Sequence, residues 1–184
     1  GSIILEELKG RKLVLIIGVP IALLFIYLGN PWFGIFSTLI MLIGIKEFYT
    51  LIAEKEVSPN YQLGYVFTVL LSLSYYYLYR DFNQIIIFEI IGLVLVANST
   101  ELFRKKKHPI ANISFTILGV LYVPILLGSI IALRELDSLH SSNIVLAMLV
   151  SIWCCDSAAF LFGTWFGKLK IMPETSPNKS WVGS

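Results

Sequence analysis

Charge is scarce in this sequence. Only 14% of its 184 residues are Asp, Glu, Lys or Arg, whereas a soluble domain carries about 25%. That deficit excludes a soluble globular domain, a disordered chain and a nucleic-acid-binding protein. The net charge of +2 carries little information by itself, so the placement of the charges matters more. Cysteine is equally sparse. Cys154 and Cys155 are adjacent and lie in an apolar stretch, so they form neither a disulfide framework nor a metal cage. His108 and His140 are the only histidines, and structural zinc is excluded with them. Period-2 alternation is missing, which argues against a membrane barrel. Internal repeats and low-complexity segments are absent too. What is present is apolar: 57% of residues are hydrophobic and the mean hydropathy is +0.79. The chain reads as an integral membrane protein.

A spanning helix needs about 20 mostly apolar residues. Six stretches meet or approach that length: Leu13–Leu28, Trp32–Ala53, Leu63–Tyr79, Phe82–Leu102, Ile113–Leu133 and Ile144–Phe166. Short connectors with breakers separate them, such as Gly29-Asn30-Pro31 and Ser58-Pro59-Asn60. Lys9, Arg11 and Lys12 before the first stretch resemble a signal peptide. Gly29-Asn30-Pro31-Trp32 offers no small-residue cleavage site, so this stretch is expected to be retained. The expected architecture is an all-α polytopic membrane bundle of about six transmembrane helices. Residues 1–12 form its N-terminus, 13–166 the six spans and 167–184 a motif-bearing tail. Gly1-Ser2 without a methionine reads as an expression scar. The stop at Ser184, directly after the motif, predicts a natural sequence that runs on.

Cytoplasmic loops retain Lys and Arg. In a six-span arrangement the N-terminus, the second and fourth connectors and the tail share one side. Together with the span ends beside them they hold twelve basic residues, including Lys46, Lys55, Arg104–Lys107 and Lys179, against Arg80 and Arg134 on the other side. Both chain ends are therefore expected in the cytoplasm. Trp32, Tyr61, the Tyr75–Tyr77 run and Trp165 stand near span ends. There they suit interfacial belts, although the tyrosine run suits packing between helices equally well.

Ionisable residues inside spans need a reason, because each costs about 2.5–3.5 kcal/mol to insert at a helix centre. Glu47, beside Lys46, is expected to pair with it or reach the surface. Glu89 is expected to be an interhelical hydrogen bonder. Asp156 stands out through its surroundings. Ser151, Cys155, Ala159, Gly163 and Gly167 recur every four residues and line one helical face with small side chains. Such a face lets another backbone approach closely, for helix packing or a homodimer. Asp156 stands about 100° from that stripe, where a carboxylate could face a polar cavity and hold a divalent cation. The tail segment Lys168 to Trp181 suits a basic juxtamembrane anchor on anionic lipid as well as a phosphate site built from ammonium, hydroxyl and turn N–H groups. Arg104–His108 reads first as an orientation signal.

The run Trp153-Cys-Cys-Asp156-Ser157-Ala-Ala159-Phe160-Leu-Phe-Gly163-Thr-Trp-Phe166-Gly167-Lys168, followed by Ser176-Pro177-Asn-Lys179-Ser180-Trp181-Val182-Gly183, closely resembles the phosphatidate cytidylyltransferases, or CDP-diacylglycerol synthases. Glu47-Phe48-Tyr49 looks like that family's Glu-aromatic feature. Phe160 stands where the family usually has Tyr, and Val182 where it usually has Glu. The family's C-terminal half, with further metal-binding acids, has no counterpart in these residues. The resemblance implies that CTP and phosphatidic acid are joined to give CDP-diacylglycerol and pyrophosphate, with Mg²⁺ and also K⁺ implicated. It gives Asp156 a metal or site-shaping role and makes Lys179, Ser176, Ser180 and Ser157 phosphate contacts. Gly183 would allow close approach, and Glu47 would stand behind the site. The expected setting is a bacterial inner membrane with the site facing the cytoplasm, and the 184-residue chain alone is expected to be inactive.

Two other classes compete. A non-catalytic dimerisation or scaffold bundle would use only the small-residue stripe. An ion or proton translocator would use Asp156 and Glu89 but leave the Ser-Pro-x-Lys-Ser tail without a purpose. Within the wider superfamily, CDP-archaeol synthases and lipid kinases of the dolichol or phytol type are the nearer rivals. The tail segment favours the bacterial cytidylyltransferase type.

Overall fold

The computed structural model describes residues 17–53, 56–77, 82–135, 140–166, 170–172 and 176–180. Seven helices run through them: α1 Val19–Leu28, α2 Trp32–Ala53, α3 Tyr61–Tyr77, α4 Phe82–Arg104, α5 Pro109–Tyr122, α6 Pro124–Glu135 and α7 Ser141–Phe166. Two short strands follow, β1 Lys170–Met172 and β2 Ser176–Ser180. The chain divides into two compact units, Gly1–Ser142 and Asn143–Ser184.

Where they fall on described residues, the apolar stretches are helical apart from the turn at Val123, and the second has the predicted bounds. Among the described residues, four helical segments are long and apolar enough to cross a membrane: Trp32–Ala53, Gln84–Arg104, Pro109–Glu135 and Ser141–Ala159. The six-span expectation is thereby qualified in length. α1 has 10 described residues and α3 has 17, the latter at the lower limit for a span of about 17–25 residues. The fifth stretch is also not one uninterrupted helix. Pro124 has no N–H to give to Val120, and the helix resumes after the single turn residue Val123. Backbone bonds from Val123 to Gly119 and from Leu127 to Val123, both 3.0 Å, keep the two pieces in line.

Local signals set the helix starts. Pro31 directly precedes α2, and Ile35 N–H bonds back to its carbonyl at 3.0 Å. Asn60 caps α3 by accepting the Leu63 N–H on its side-chain oxygen at 3.2 Å. Pro109 opens α5 behind His108, which is left-handed at φ 55°; proline suits that first position because its missing N–H would have no intrahelical partner.

Within the first unit, α3 is the central helix and touches α2, α4, α5 and α6. Its polar residues fit that place. Thr68, Ser72, Ser74 and Tyr75 are buried in protein. The Thr68 hydroxyl donates to Gly64 O at 2.7 Å, and Ser72 shares a hydrogen bond with Thr38 of α2. The main core gathers Ile45, Tyr49, Phe67, Leu71, Leu93 and Val120. A smaller cluster holds Met41, Tyr75 and Ile131.

Helices approach closely here through glycine facing tyrosine. The buried Tyr49 ring sits between Gly64 and Gly119, and a Cβ on Gly64 would lie 2.5 Å from its Cε2. Tyr75 packs against Gly128 in the same way. The outer surface is apolar, with Ile43 65% and Phe88 72% exposed, as lipid-facing positions require. Trp32 is exposed at the start of α2, Tyr75 is buried between helices and Tyr77 is exposed. The tyrosine run therefore serves both packing and surface.

Candidate functional site

Among the described residues of the first unit, a polar assembly joins two connectors at one end of the helices. Glu101, in the last turn of α4, is buried and binds Arg104 at 2.7 Å. Asn112 of α5 is fully buried. Its amide donates to Glu101 Oε1 at 2.6 Å and to Lys107 O at 2.9 Å, and its Oδ1 accepts the Ser58 N–H at 2.7 Å. One turn later, Thr116 donates to Asn112 O at 2.7 Å and accepts the Asn60 N–H at 2.8 Å. The α2–α3 and α4–α5 connectors are therefore clasped together at the same end. Alternating spans with two connectors on one side require that placement.

The clasp divides the basic run. Arg104 is engaged by Glu101 and points a second N–H at Pro59 O at 3.5 Å. Lys105, Lys106, Lys107 and His108 are exposed, and Lys105 and His108 are both left-handed. Of the cluster's cations, Arg104 is engaged and the three lysines are exposed.

At the opposite end, Arg134 donates to Ser141 Oγ at 2.6 Å and to Ile26 O at 3.4 Å, beneath the last turn of α1. The negative end of the α1 dipole suits a cation there. Between these ends, Ser74 donates to Glu89 Oε1 at 2.5 Å across α3 and α4. This is the interhelical bond expected of Glu89. Its Oε2 is buried and has no hydrogen-bond partner among the described residues.

The second unit carries the motif residues. Asp156 lies fifteen residues after the first residue of α7, about 22 Å along it. The helix begins three residues before Ile144, where the apolar stretch starts. Asp156 and Ser157 are exposed, Ala159 is partly buried, and Gly163 lies further along the same helix. Ser176, Lys179 and Ser180 fall on β2. β2 pairs antiparallel with β1, setting Ser180 opposite Lys170 and Ser176 opposite Met172 across an irregular register. Gly167 and Gly183 lie outside the described residues. Glu47 is exposed on α2 of the first unit and forms no ion pair with Lys46. Consecutive helical side chains diverge by about 100°, which explains why the expected pairing is not made.

Among the described residues, no three His, Cys, Asp or Glu side chains gather into a metal-binding group. Asp156 contributes a single exposed carboxylate. Mg²⁺ is commonly held by one or two carboxylates together with substrate phosphates and water, so this donor fits a metal that arrives with a nucleotide.

Glu101, Asn112, Thr116 and Asn60 were not apparent as a group in the sequence. Their signals were present: Asn112 and Thr116 are one helical turn apart, and Asn60 immediately precedes an apolar run, where a cap is expected. Nothing local pointed to the meeting of Asn60 with Thr116, 56 residues apart.

The sequence pattern of the cytidylyltransferase family matches residues 9–184. The phosphatidate cytidylyltransferase of Staphylococcus haemolyticus is 28% identical over 177 residues, covering 96% of this chain and 66% of that protein. The Bacillus subtilis protein of the same name is 28% identical over 181 residues, with the same two shares. That of Synechocystis is 24% identical over 199 residues, covering 95% of this chain and 66% of its own length. The chain thus spans 66% of the length of these curated relatives. No solved structure matches it.

Proposed function

The chain belongs to the cytidylyltransferase family, and on that premise we propose that it serves the transfer of a cytidylyl group from CTP to phosphatidate in phospholipid synthesis. What supports this reading is the likeness to proteins named phosphatidate cytidylyltransferase over 96% of the chain, together with a family match over residues 9–184, which takes in Asp156 and the Ser176–Ser180 segment. In the reaction a phosphatidate oxygen forms a bond to the α-phosphorus of CTP. The α–β phosphoanhydride bond breaks, and its electron pair leaves with pyrophosphate. The phosphate monoester is already anionic, so no general base is required.

Both reactants are polyanions, so the protein's task is to neutralise charge and align the displacement. Asp156 would hold Mg²⁺, which supplies Lewis-acid neutralisation of phosphate charge; K⁺ is the second cation in this reading. Lys179 gives a charge-assisted hydrogen bond to phosphate. Ser176, Ser180 and Ser157 give hydroxyl contacts, Gly183 leaves room for a phosphate beside the backbone, and Glu47 supports from behind. Ala159, Gly163 and Gly167 let a neighbouring helix, in this chain or a second copy, approach closely.

The clasped connector end and both termini face the cytoplasm in this proposal, in agreement with the twelve-to-two distribution of Lys and Arg. The setting is a bacterial inner membrane, where soluble CTP meets a lipid in the leaflet. Activity belongs to a chain of the relatives' full length, and residues 1–184 alone are inactive.

The test is a reconstituted assay of both lengths with phosphatidate and CTP labelled at either the α- or the γ-phosphorus. Transfer of α-label to lipid, with release of pyrophosphate, is the expected result from the longer chain. Transfer of γ-label to a lipid alcohol would instead establish a kinase and overturn the proposal.

A further inference from the structure

A groove runs between α2 and α3 on the surface of the first unit. Its larger recess, about 620 Å³, is lined by Leu39, Ile43 and Lys46 of α2 and by Tyr65, Val69 and Leu70 of α3. A second recess of about 340 Å³ continues from it toward Pro31 and Tyr77, sharing Leu39 and Val69. From Lys46 to Leu39 is seven residues, and from Leu39 to Pro31 eight more, so the two recesses follow about 22 Å of helix. The result is long, narrow and almost wholly apolar, with its one cation at the connector end.

Lys46 is out of place for a lipid-facing surface. It stands seven residues before the end of α2, about 10 Å inside it, whereas half the hydrocarbon core is about 15 Å thick. The side chain is exposed, and among the described residues it forms no ion pair. Glu47 diverges from it on the helix. With its backbone at that depth, the ammonium needs an anion beside it or a stem extended toward the headgroups. Tyr65, four residues into α3 from the same end, adds a phenol that can also donate.

We propose that this groove is a binding site for an anionic phospholipid, with one acyl chain lying along α2 and α3 and the phosphate seated on Lys46. Charge complementarity selects this occupant over a second protein helix. An apolar helix laid over the groove would cover the ammonium without supplying a counter-ion, which leaves a buried unpaired charge. A lipid supplies both the chain that fills the groove and the anion that answers Lys46. The site does not depend on the proposed reaction, because it requires neither CTP nor Asp156.

The experiment places the full chain in phosphatidylcholine nanodiscs containing a trace of photoactivatable lipid, with the diazirine on the acyl chain. Two probes are used, phosphatidic acid and phosphatidylcholine with identical tails, and labelled peptides are mapped by mass spectrometry without nucleotide. The phosphatidic acid probe should label residues 39–46 and 65–70 about fivefold more than its phosphatidylcholine counterpart, the discrimination one lysine near the membrane surface provides. Lys46→Gln should abolish that difference and Lys46→Arg should keep it. Val69→Phe, at the junction of the two recesses, should reduce labelling by both probes. Monodispersity and thermal unfolding establish that each variant is folded. Equal labelling of the wild-type groove by the two probes, or undiminished preference in Lys46→Gln, would overturn the proposal. Loss of cytidylyl transfer in a separate assay would leave it standing.

Discussion

The Tyr49 phenol of α2 donates to the Thr116 carbonyl of α5 across 2.7 Å, from a ring enclosed by Gly64 and Gly119. The same Thr116 uses its hydroxyl to hold the Asn60 N–H of the α2–α3 connector. One threonine therefore ties a buried helix contact to the polar clasp at the end of the bundle.

Replacing Gly119 with Ala puts a Cβ into the Tyr49 ring, in a place with no room to yield. Overpacking of this kind costs about 1–3 kcal/mol. The thermal midpoint in detergent should fall clearly for Gly119→Ala. Tyr49→Phe, which loses only the hydrogen bond, should fall by less, since such bonds average about 0.6 kcal/mol within membranes. Equal midpoints for Gly119→Ala and wild type would refute this account of the contact.

Asn112→Leu removes the partner of Glu101 Oε1 and of the Ser58 N–H together. The orphaned Glu101 oxygen, which is buried, costs about 1–3 kcal/mol, and the part-buried Ser58 N–H costs less. Hydrogen exchange at Ser58 and Asn60 should speed up selectively, while amides in the middle of α3 keep their protection. Uniform loss of protection throughout the bundle would show that the clasp is not a local device.

Glu89→Gln preserves an acceptor for the Ser74 hydroxyl and removes a charge from the membrane interior, where charge is expensive. Unfolding should be unchanged or shifted upward. Ser74→Ala should instead lower the midpoint, because it leaves both oxygens of Glu89 without a partner. A large drop for Glu89→Gln would mean that the ionised carboxylate itself is required.

Single cysteines, on a background lacking Cys154 and Cys155, test sidedness in intact cells. Positions Ser58 and Lys106 should react only from the cytoplasmic side, because the clasp places their connectors together. Asn30 and Ser138 should react from outside. Labelling of Ser58 and Asn30 from one side would contradict the alternation.

In the full-length chain, Asp156→Asn and Lys179→Ala should each lower cytidylyl transfer by roughly 10²–10³-fold, the scale of losing one electrostatic contact to a developing charge. Thermal unfolding followed alongside should remain near wild type. Near-normal turnover in Asp156→Asn would reduce that residue to a structural polar group.

Much of this was legible in the chain. Apolar runs of the right length had to become helices, because backbone groups in hydrocarbon must be satisfied within their own segment; the bounds of Trp32–Ala53 follow from that requirement and Pro31. The Asp156 and Lys179 segments were recognisable as a family resemblance because the motif is written in nearly consecutive residues. Tertiary structure alone decided that α3, with its hydroxyls, is the central helix, since hydropathy does not distinguish a lipid-facing surface from a protein-filled one. It also decided that Glu101 faces Asn112 and not solvent, that Lys46 and Glu47 part company, and that Gly64 and Gly119 serve Tyr49. These outcomes depend on which helix faces which, and a contact between residues 67 positions apart leaves no trace in the local pattern of either.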